Sequence, residues 1–266
     1  MAILMCRPEQ FGIEYEINPW MHVGVRVDHA RALEQWEALR GAYAELGQEI
    51  VLVEPVAGLP DMVFTANAGV VWDGRVVLSR FRHPERQGEE PFFRAAFHRV
   101  GLEVHTLGEI PFEGAGDALF VGERLFLGAG FRTDRQSHEF VGRVLGVETV
   151  SLDLVDPRFY HLDTCFCPLN ACTVLFAPQA FSEASAKLVR ALVPHVIEVP
   201  AEVAAGFACN AIAVGDRVIS SVAAEKLEQP LHEAGFQTFG LPMTEFMKSG
   251  GGVRCLSLPL DAGPVH

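Results

Sequence analysis

The sequence lacks any long apolar run. No stretch of its 266 residues reaches the roughly 18 or more apolar residues that a membrane-spanning helix needs. The apolar start Ala2-Ile3-Leu4-Met5 is too short for a signal peptide and has no basic region before it. Basic residues are scarce as well. Lys plus Arg number 21 against 34 Asp plus Glu, a formal charge of −13 at pH 7. Such a balance argues against nucleic acid or an anionic membrane as a partner and suits a small cationic molecule. No Ser- or Gly-rich linker divides the chain, so 1–266 reads as a single domain. Six cysteines in a chain with ample material for a core are read as free thiols in a reducing cytoplasm. Three of them, Cys165, Cys167 and Cys172, lie close together, but they lack the paired knuckles of a zinc site and no histidine pair completes them. Walker-type phosphate loops are missing, and Gly114-Ala115-Gly116 is too short for a dinucleotide loop. Neither a metal nor a cofactor is therefore expected.

What the sequence does have is a repeat. Asn67 to Trp72, the turn Asp73-Gly74 and Arg75 to Ser79 read as a hairpin. Asp117 to Val121, Gly122-Glu123 and Arg124 to Gly128 repeat it, as do Asn210 to Val214, Gly215-Asp216 and Arg217 to Ser220. Ala171 to Phe176, followed by Ala177-Pro178, is a looser copy. Helix-like stretches follow at Pro91 to Val100, Ser182 to Leu192 and Val222 to Ala234, each leading to a short strand. Those strands are Glu103 to His105, His195 to Val199 and Phe236 to Phe239. Near the start, Arg31 to Leu46 reads as a helix and Glu49 to Val53 as its strand. Spacings of about forty to fifty-five residues fit repeated supersecondary units. Four units, plus a fifth split between Arg254 to Leu260 and Ala2 to Met5, would close a ring. The expected fold is a fivefold pseudo-symmetric α/β propeller; an open α/β sheet is the alternative.

Pseudo-symmetry carries a functional expectation. Polar groups sit at or just before the first strand of nearly every unit: Asn67, Glu113 and Asp117, His161 and Asp163, Asn210 and Cys255. Charges make poor core material without partners, so these groups are expected to converge at one end of the axis. Cys255 follows three glycines, Gly250 to Gly252, which permit close approach of backbone to a ligand. Read blandly, it is one small buried hydrophobe in an apolar strand. His161 and Asp163 alternate, which on a strand would put both on one face. Glu113 could be a plain turn acid.

Together these residues resemble the guanidino-group-modifying superfamily, which includes arginine deiminases, dimethylarginine dimethylaminohydrolases and amidinotransferases. Five segments carry the likeness, in family order: Pro60 to Asn67, Phe112 to Asp117, Phe131-Arg132-Thr133, His161-Leu162-Asp163 and Cys255 to Leu260. The resemblance implies the pentein-like fivefold barrel. It also implies roles: Cys255 as nucleophile, His161 as general acid/base and Glu113 as the carboxylate beside it. Asp163 would grip the guanidinium and Arg132 the substrate α-carboxylate, with Asp61 and Asn67 of the first motif among the binding positions. Many relatives end that motif in Asp, where this chain has Asn67. A neutral amide can accept from an N–H but cannot neutralise a cation.

Asn67, the opening Met5-Cys6-Arg7-Pro8 and the segment Ile17-Asn18-Pro19-Trp20-Met21 look most like the arginine dihydrolase branch. That branch converts arginine to ornithine, ammonia and carbon dioxide without a metal, and its pattern adds Asn18 and Arg86 as substrate contacts. In some relatives the module is fused to a larger C-terminal part; this chain would be the module alone. The assembly state is left open, a homo-oligomer included. Competing readings are a reaction that stops at citrulline, amidino transfer to an amine, a metal-dependent ureohydrolase, or a binding protein on the same fold.

Overall fold

The computed structural model describes residues 2–261. Among these, strand β1 (Ala2–Cys6) pairs in parallel with β2 (Glu49–Val53). Four sheets of one design follow along the chain, each an antiparallel hairpin with a third strand added in parallel. They are β3 (Gly69–Trp72), β4 (Arg75–Leu78) and β5 (Glu103–His105), then β6 (Ala118–Val121), β7 (Arg124–Ala129) and β8 (Glu148–Asp153). Next come β9 (Phe166–Pro168), β10 (Thr173–Phe176) and β11 (His195–Glu198), then β12 (Ile212–Val214), β13 (Arg217–Ser221) and β14 (Gln237–Leu241). Finally β15 (Leu258–Pro259) returns to pair antiparallel with β1, so the split fifth unit has the same three-stranded plan.

The local chemistry explains the repeats. Asp73 and Gly74 both take positive φ, 49° and 74°, as a two-residue hairpin turn demands. Asp28 caps the helix His29–Glu45 by accepting from Arg31 N at 3.1 Å, and Ser182 caps Glu183–Leu192 through Ser185 N at 3.2 Å.

The apolar cores run round the molecule. Leu4, Cys6 and Leu258 of the first sheet pack with Val71 and Val76 of the second. Val70 and Val77 of the second join Leu125 and Leu127 of the third. Phe126, Phe166, Leu175 and Val218 share one core across the third, fourth and fifth sheets. Ile212 and Ile219 of the fifth meet Ile3 and Met5 of the first. Each sheet hides its inner face against its neighbours, which gives the fivefold pseudo-symmetric α/β arrangement.

Several local readings change. Ala171 to Phe176 is not a first strand: β9 precedes it, and only Thr173–Phe176 is extended. The third sheet has the helix Ser137–Leu145 and β8, which its sequence did not announce. Val222 to Ala234 splits into a 3-10 stretch, Val222–Leu227, and a short helix, Glu228–Glu233. His161 and Asp163 are not on a strand, because Leu162–Thr164 forms a 3-10 turn. Cys255 is not on a strand either; it lies in the turn before β15.

Candidate active site

The polar residues sit on five turns, each just ahead of the first strand of a sheet. Neighbouring turns are tied to one another in a closed circuit. Ala66 N donates to Cys255 O at 3.1 Å. Gly114 approaches Gly69 so closely that a Cβ on it would lie 2.6 Å from Gly69 N. Leu162 N donates to Asp117 Oδ1 at 3.0 Å, and Asn210 Nδ2 donates to Asp163 O at 3.1 Å. Arg254 N donates to Asn210 Oδ1 at 3.1 Å, which brings the circuit back to the cysteine turn.

One side of the centre holds an imidazole and a carboxylate. His161 Nε2 lies 2.7 Å from Glu113 Oε2, and Arg132 Nη1 donates to the same oxygen at 2.9 Å. Arg82 N reaches Glu113 Oε1 at 3.2 Å, while Thr133 Oγ1 accepts from Glu113 N at 3.0 Å. All three ionisable side chains are buried. Burial by itself would raise the Glu113 pKa; the Arg132 charge and the His161 contact outweigh it and hold the carboxyl well below the usual range. The Tyr160 ring supports both partners, 4.7 Å from the His161 ring and 4.8 Å from the Arg132 guanidinium carbon. His161 Nδ1 has no partner.

The other side holds the thiol. Cys255 Sγ lies 3.5 Å from Asp163 Oδ2, and Asn210 Nδ2 donates to it at 3.0 Å. Burial pushes the Asp163 carboxyl up to about 7, against the Arg254 charge and the hydrogen bonds from Cys255 and Asn210. Burial, and then the Asp163 charge, push the Cys255 thiol well above its ordinary value. Asp61 Oδ2 accepts from Tyr15 OH at 3.0 Å, and burial raises its pKa also. Asp61 Oδ1, Asp163 Oδ1 and Asn67 Nδ2 are buried without partners. Five carboxylates (Asp61, Glu89, Glu113, Asp117 and Asp163) are buried here with two guanidiniums, Arg86 and Arg132. Burial raises four of these carboxyls, Asp61, Glu89, Asp117 and Asp163, and only Glu113 is held low.

The residues expected to bind substrate divide into two sets. Asp61, Asn67 and Asp163 keep free polar atoms. Asn18, Arg86 and Arg132 have theirs engaged by the protein. Asn18 Nδ2 donates to Ser249 O at 3.1 Å and its Oδ1 accepts from Trp20 N and Met21 N at 2.9 and 3.2 Å. Arg132 Nη2 donates to Ile17 O at 2.9 Å. Arg86 pairs with Glu89 through two bonds of 2.8 and 2.9 Å and donates to Asn67 Oδ1 at 2.8 Å and Asp61 O at 3.1 Å.

Three participants had no role assigned from sequence. Asn210 stood at the equivalent strand start in the repeat, a signal sufficient to place it beside Cys255. Tyr160 adjoins His161, yet nothing in the chain marked its ring as a platform. Glu89 sits in an ordinary polar stretch, and no sequence signal distinguished it.

Other features lie elsewhere. A cleft of about 650 Å³ lined by Trp72, Gly122, Glu123 and Ala171 sits at the hairpin turns and contains none of these groups. Among the described residues, all six cysteines are free and no cluster of three or more His, Cys, Asp or Glu side chains is arranged to hold a metal. Cys165 and Cys167 are buried in the apolar core, and no described helix is long and apolar enough to cross a membrane.

A fivefold α/β frame whose turns converge a thiol, an imidazole–carboxylate pair and free acceptors defines the guanidino-group-modifying class. The family described as N,N dimethylarginine dimethylhydrolase, eukaryotic, matches residues 7–261, and the chain belongs to it. It is 47% identical over 264 residues to the bifunctional arginine dihydrolase/ornithine cyclodeaminase ArgZ of Synechocystis sp., covering 97% of this chain but 37% of that protein. It is 43% identical over 256 residues to the N(G),N(G)-dimethylarginine dimethylaminohydrolase of Mycobacterium tuberculosis, covering 96% and 84% of the two chains. The crystal structure of the N-terminal domain of ArgZ, a cysteine-to-serine mutant bound to substrate, superposes with a TM-score of 0.95 at 44% identity and 99% coverage of both chains.

Proposed function

We propose that this chain hydrolyses the guanidino group of L-arginine to ornithine, ammonia and carbon dioxide through an S-alkylthiouronium intermediate on Cys255. The observation that carries the reading is one buried centre in which Cys255 Sγ meets Asp163 while His161 meets Glu113. A guanidinium carbon is a poor electrophile with poor leaving groups. Its attack needs carboxylates to hold the cation, a thiolate, and a proton for the departing nitrogen.

Asp163 and Asp61 supply acceptors, and the arriving cation stabilises their ionised forms and the Cys255 thiolate. Sulfur adds to the carbon as its proton passes to His161, which, steadied by Glu113, delivers that proton to the nitrogen that leaves as ammonia. His161 then takes a proton from the water that attacks the thiouronium carbon. Arg132 and Asn18 hold the segment around Ile17 against the centre, where the α-carboxylate of arginine would lie. In full, arginine and two waters give ornithine, two ammonia and carbon dioxide. The likeness to ArgZ and Asn67 in place of Asp favour this course over release of citrulline from arginine or dimethylarginine, or amidino transfer. Amidinotransferase chemistry is the least favoured of these.

The same reading takes 1–266 as one catalytic domain in the cytoplasm; residues 1 and 262–266 lie outside the described ones. Its ligand would be a small cationic guanidino compound, with no nucleic-acid or membrane partner and no cofactor or metal. A homo-oligomer is compatible with it. Incubation with arginine, dimethylarginine and agmatine, followed by assay of ornithine, citrulline and ammonia, tests the proposal. Stoichiometric citrulline from arginine would defeat the dihydrolase reading and leave the cysteine mechanism standing.

A further inference from the structure

We propose that Arg86 is a positioning residue that turns the Asn67 amide so that its N–H, not its carbonyl, faces the reacting carbon and receives the oxygen introduced by the first hydrolysis. The inference rests on the arginine reading above and deepens it. An arginine side chain carries donors only. The Asn67 atom 2.8 Å from Arg86 Nη1 is therefore the carbonyl oxygen, and chemistry fixes the orientation of the amide. Arg86 is itself held: Glu89 takes Nε and Nη2 in a two-pronged pair, Asp61 O accepts from Nη2, and the Phe81 ring lies 4.4 Å from the guanidinium carbon.

Asn67 Nδ2 is left buried with no acceptor, a costly state for an amide. Its surroundings indicate what it serves. A Cβ on Gly116 would lie 2.2 Å from Asn67 Nδ2 and 3.4 Å from His161 Nδ1, which is likewise without a partner. The idle donor and the idle ring nitrogen border the same small space. The Asn67 carbonyl is engaged by Arg86, so the wholly free group that the amide presents is its N–H.

A guanidinium offers only N–H groups, so this donor has nothing to bind in that end of arginine. Water beside His161 has an acceptor oxygen. That oxygen bonds to the thiouronium carbon as its proton passes to His161, and loss of sulfur leaves it as the ureido oxygen. Held by Asn67, the ureido group undergoes a second sulfur attack. His161 protonates the amino group, its C–N bond breaks to give ammonia, and an S-alkyl thiocarbamate remains. A second water cleaves the C–S bond, restoring the thiol, and the carbamate breaks down to ornithine and carbon dioxide. Asp at position 67 would present a carboxylate oxygen to the ureido oxygen instead, and favour its escape as citrulline.

The citrulline-to-ornithine ratio formed from arginine tests this, because a ratio does not depend on the fraction of folded enzyme. Gly116→Ala must displace the amide while sparing the Arg86–Glu89 pair, and its ratio should rise about tenfold, the factor one buried hydrogen bond carries. Arg86→Gln combined with Glu89→Gln removes the restraint and the Glu89 charge together, leaving Asp61 to bind a proton in place of its Arg86 pairing, and should raise the ratio likewise. Arg86→Lys keeps a donor for the carbonyl and ornithine as main product. Ornithine alone from Gly116→Ala overturns the proposal. So does a shift in Gly116→Ala with none in the double variant, which would place the restraint elsewhere. Citrulline as the wild-type product would instead defeat the arginine reading on which the proposal rests.

Discussion

The two sides of the buried centre are built on opposite principles. Around Glu113, both carboxylate oxygens are engaged, an arginine supplies the counter-charge, and the carboxyl stays ionised. Around Cys255, one acceptor atom of Asp163 has no partner, and burial pushes the Asp163 carboxyl and the thiol toward neutrality. The protein finishes the first half by itself. The second half keeps an acceptor free, which in the proposed reaction would meet a planar cation. In the proposed reaction, the proton-transfer geometry would be present before substrate arrives, whereas nucleophile ionisation would wait for it.

The largest expected effect comes from deleting the group around which the unfinished half is arranged. Cys255→Ala should lose activity to background, a fall on the order of 10⁶ by analogy with other nucleophile deletions, with an unchanged circular dichroism spectrum. Measurable turnover in that variant would end the covalent mechanism.

On the finished half, Glu113→Gln should lower kcat by roughly 10² to 10⁴, the usual worth of positioned proton transfer. It should also destabilise the fold, since Arg132 would remain buried with its counter-charge gone. A folded Glu113→Gln enzyme with near-normal kcat and melting temperature would break the contrast between the halves.

Asn210 offers a finer probe. Its amide bonds the sulfur and, through Oδ1, the backbone N–H groups of Arg254 and Cys255. Alkylation of Cys255 by a haloacetamidine should slow about tenfold in Asn210→Ala, with the thiol titrating at higher pH, as expected when a hydrogen bond to an ionised group is lost. An unchanged alkylation rate and titration would reduce Asn210 to a spacer.

The smallest effect concerns pH. The folded-state pKa of Asp163, about 7, stands above its ordinary 3.8, so the folded protein binds the extra proton. Stability from this group is therefore complete below about 4 and declines as pH rises through 7. Asp163→Asn, which cannot ionise, should melt above wild type near pH 8 and close to it near pH 4, while losing activity. A wild-type melting curve equally flat across that range would show that Asp163 stays ionised, and the thiol side would be no less complete than the other.

How much of this could be read from the chain differs by element. Three hairpins were legible because Asp73-Gly74, Gly122-Glu123 and Gly215-Asp216 interrupt apolar runs at turn length, a local signal. The fourth was misplaced because Asn170-Ala171-Cys172 carries no glycine to mark its turn, and Ser137–Leu145 was missed for want of a distinct N-cap. In the site, Cys255, His161, Glu113 and Asp163 stood out through residue type and order. Their setting on turns was less visible, since alternation of His161 with Asp163 suits a strand equally well.

By itself, the sequence determined the repeat, the fivefold plan and the set of reactive groups, because turn residues, apolar periodicity and residue chemistry are local properties. Only the tertiary structure decided which groups are satisfied and which are left idle. Partnering depends on contacts between turns far apart in the chain: Glu113 with Arg132 and His161, Cys255 with Asn210 and Asp163, Asn67 with Arg86. The direction of the Asn67 amide is the clearest case. Nothing in Asn67 or its neighbours sets it; a guanidinium nineteen residues away does, because it can only donate.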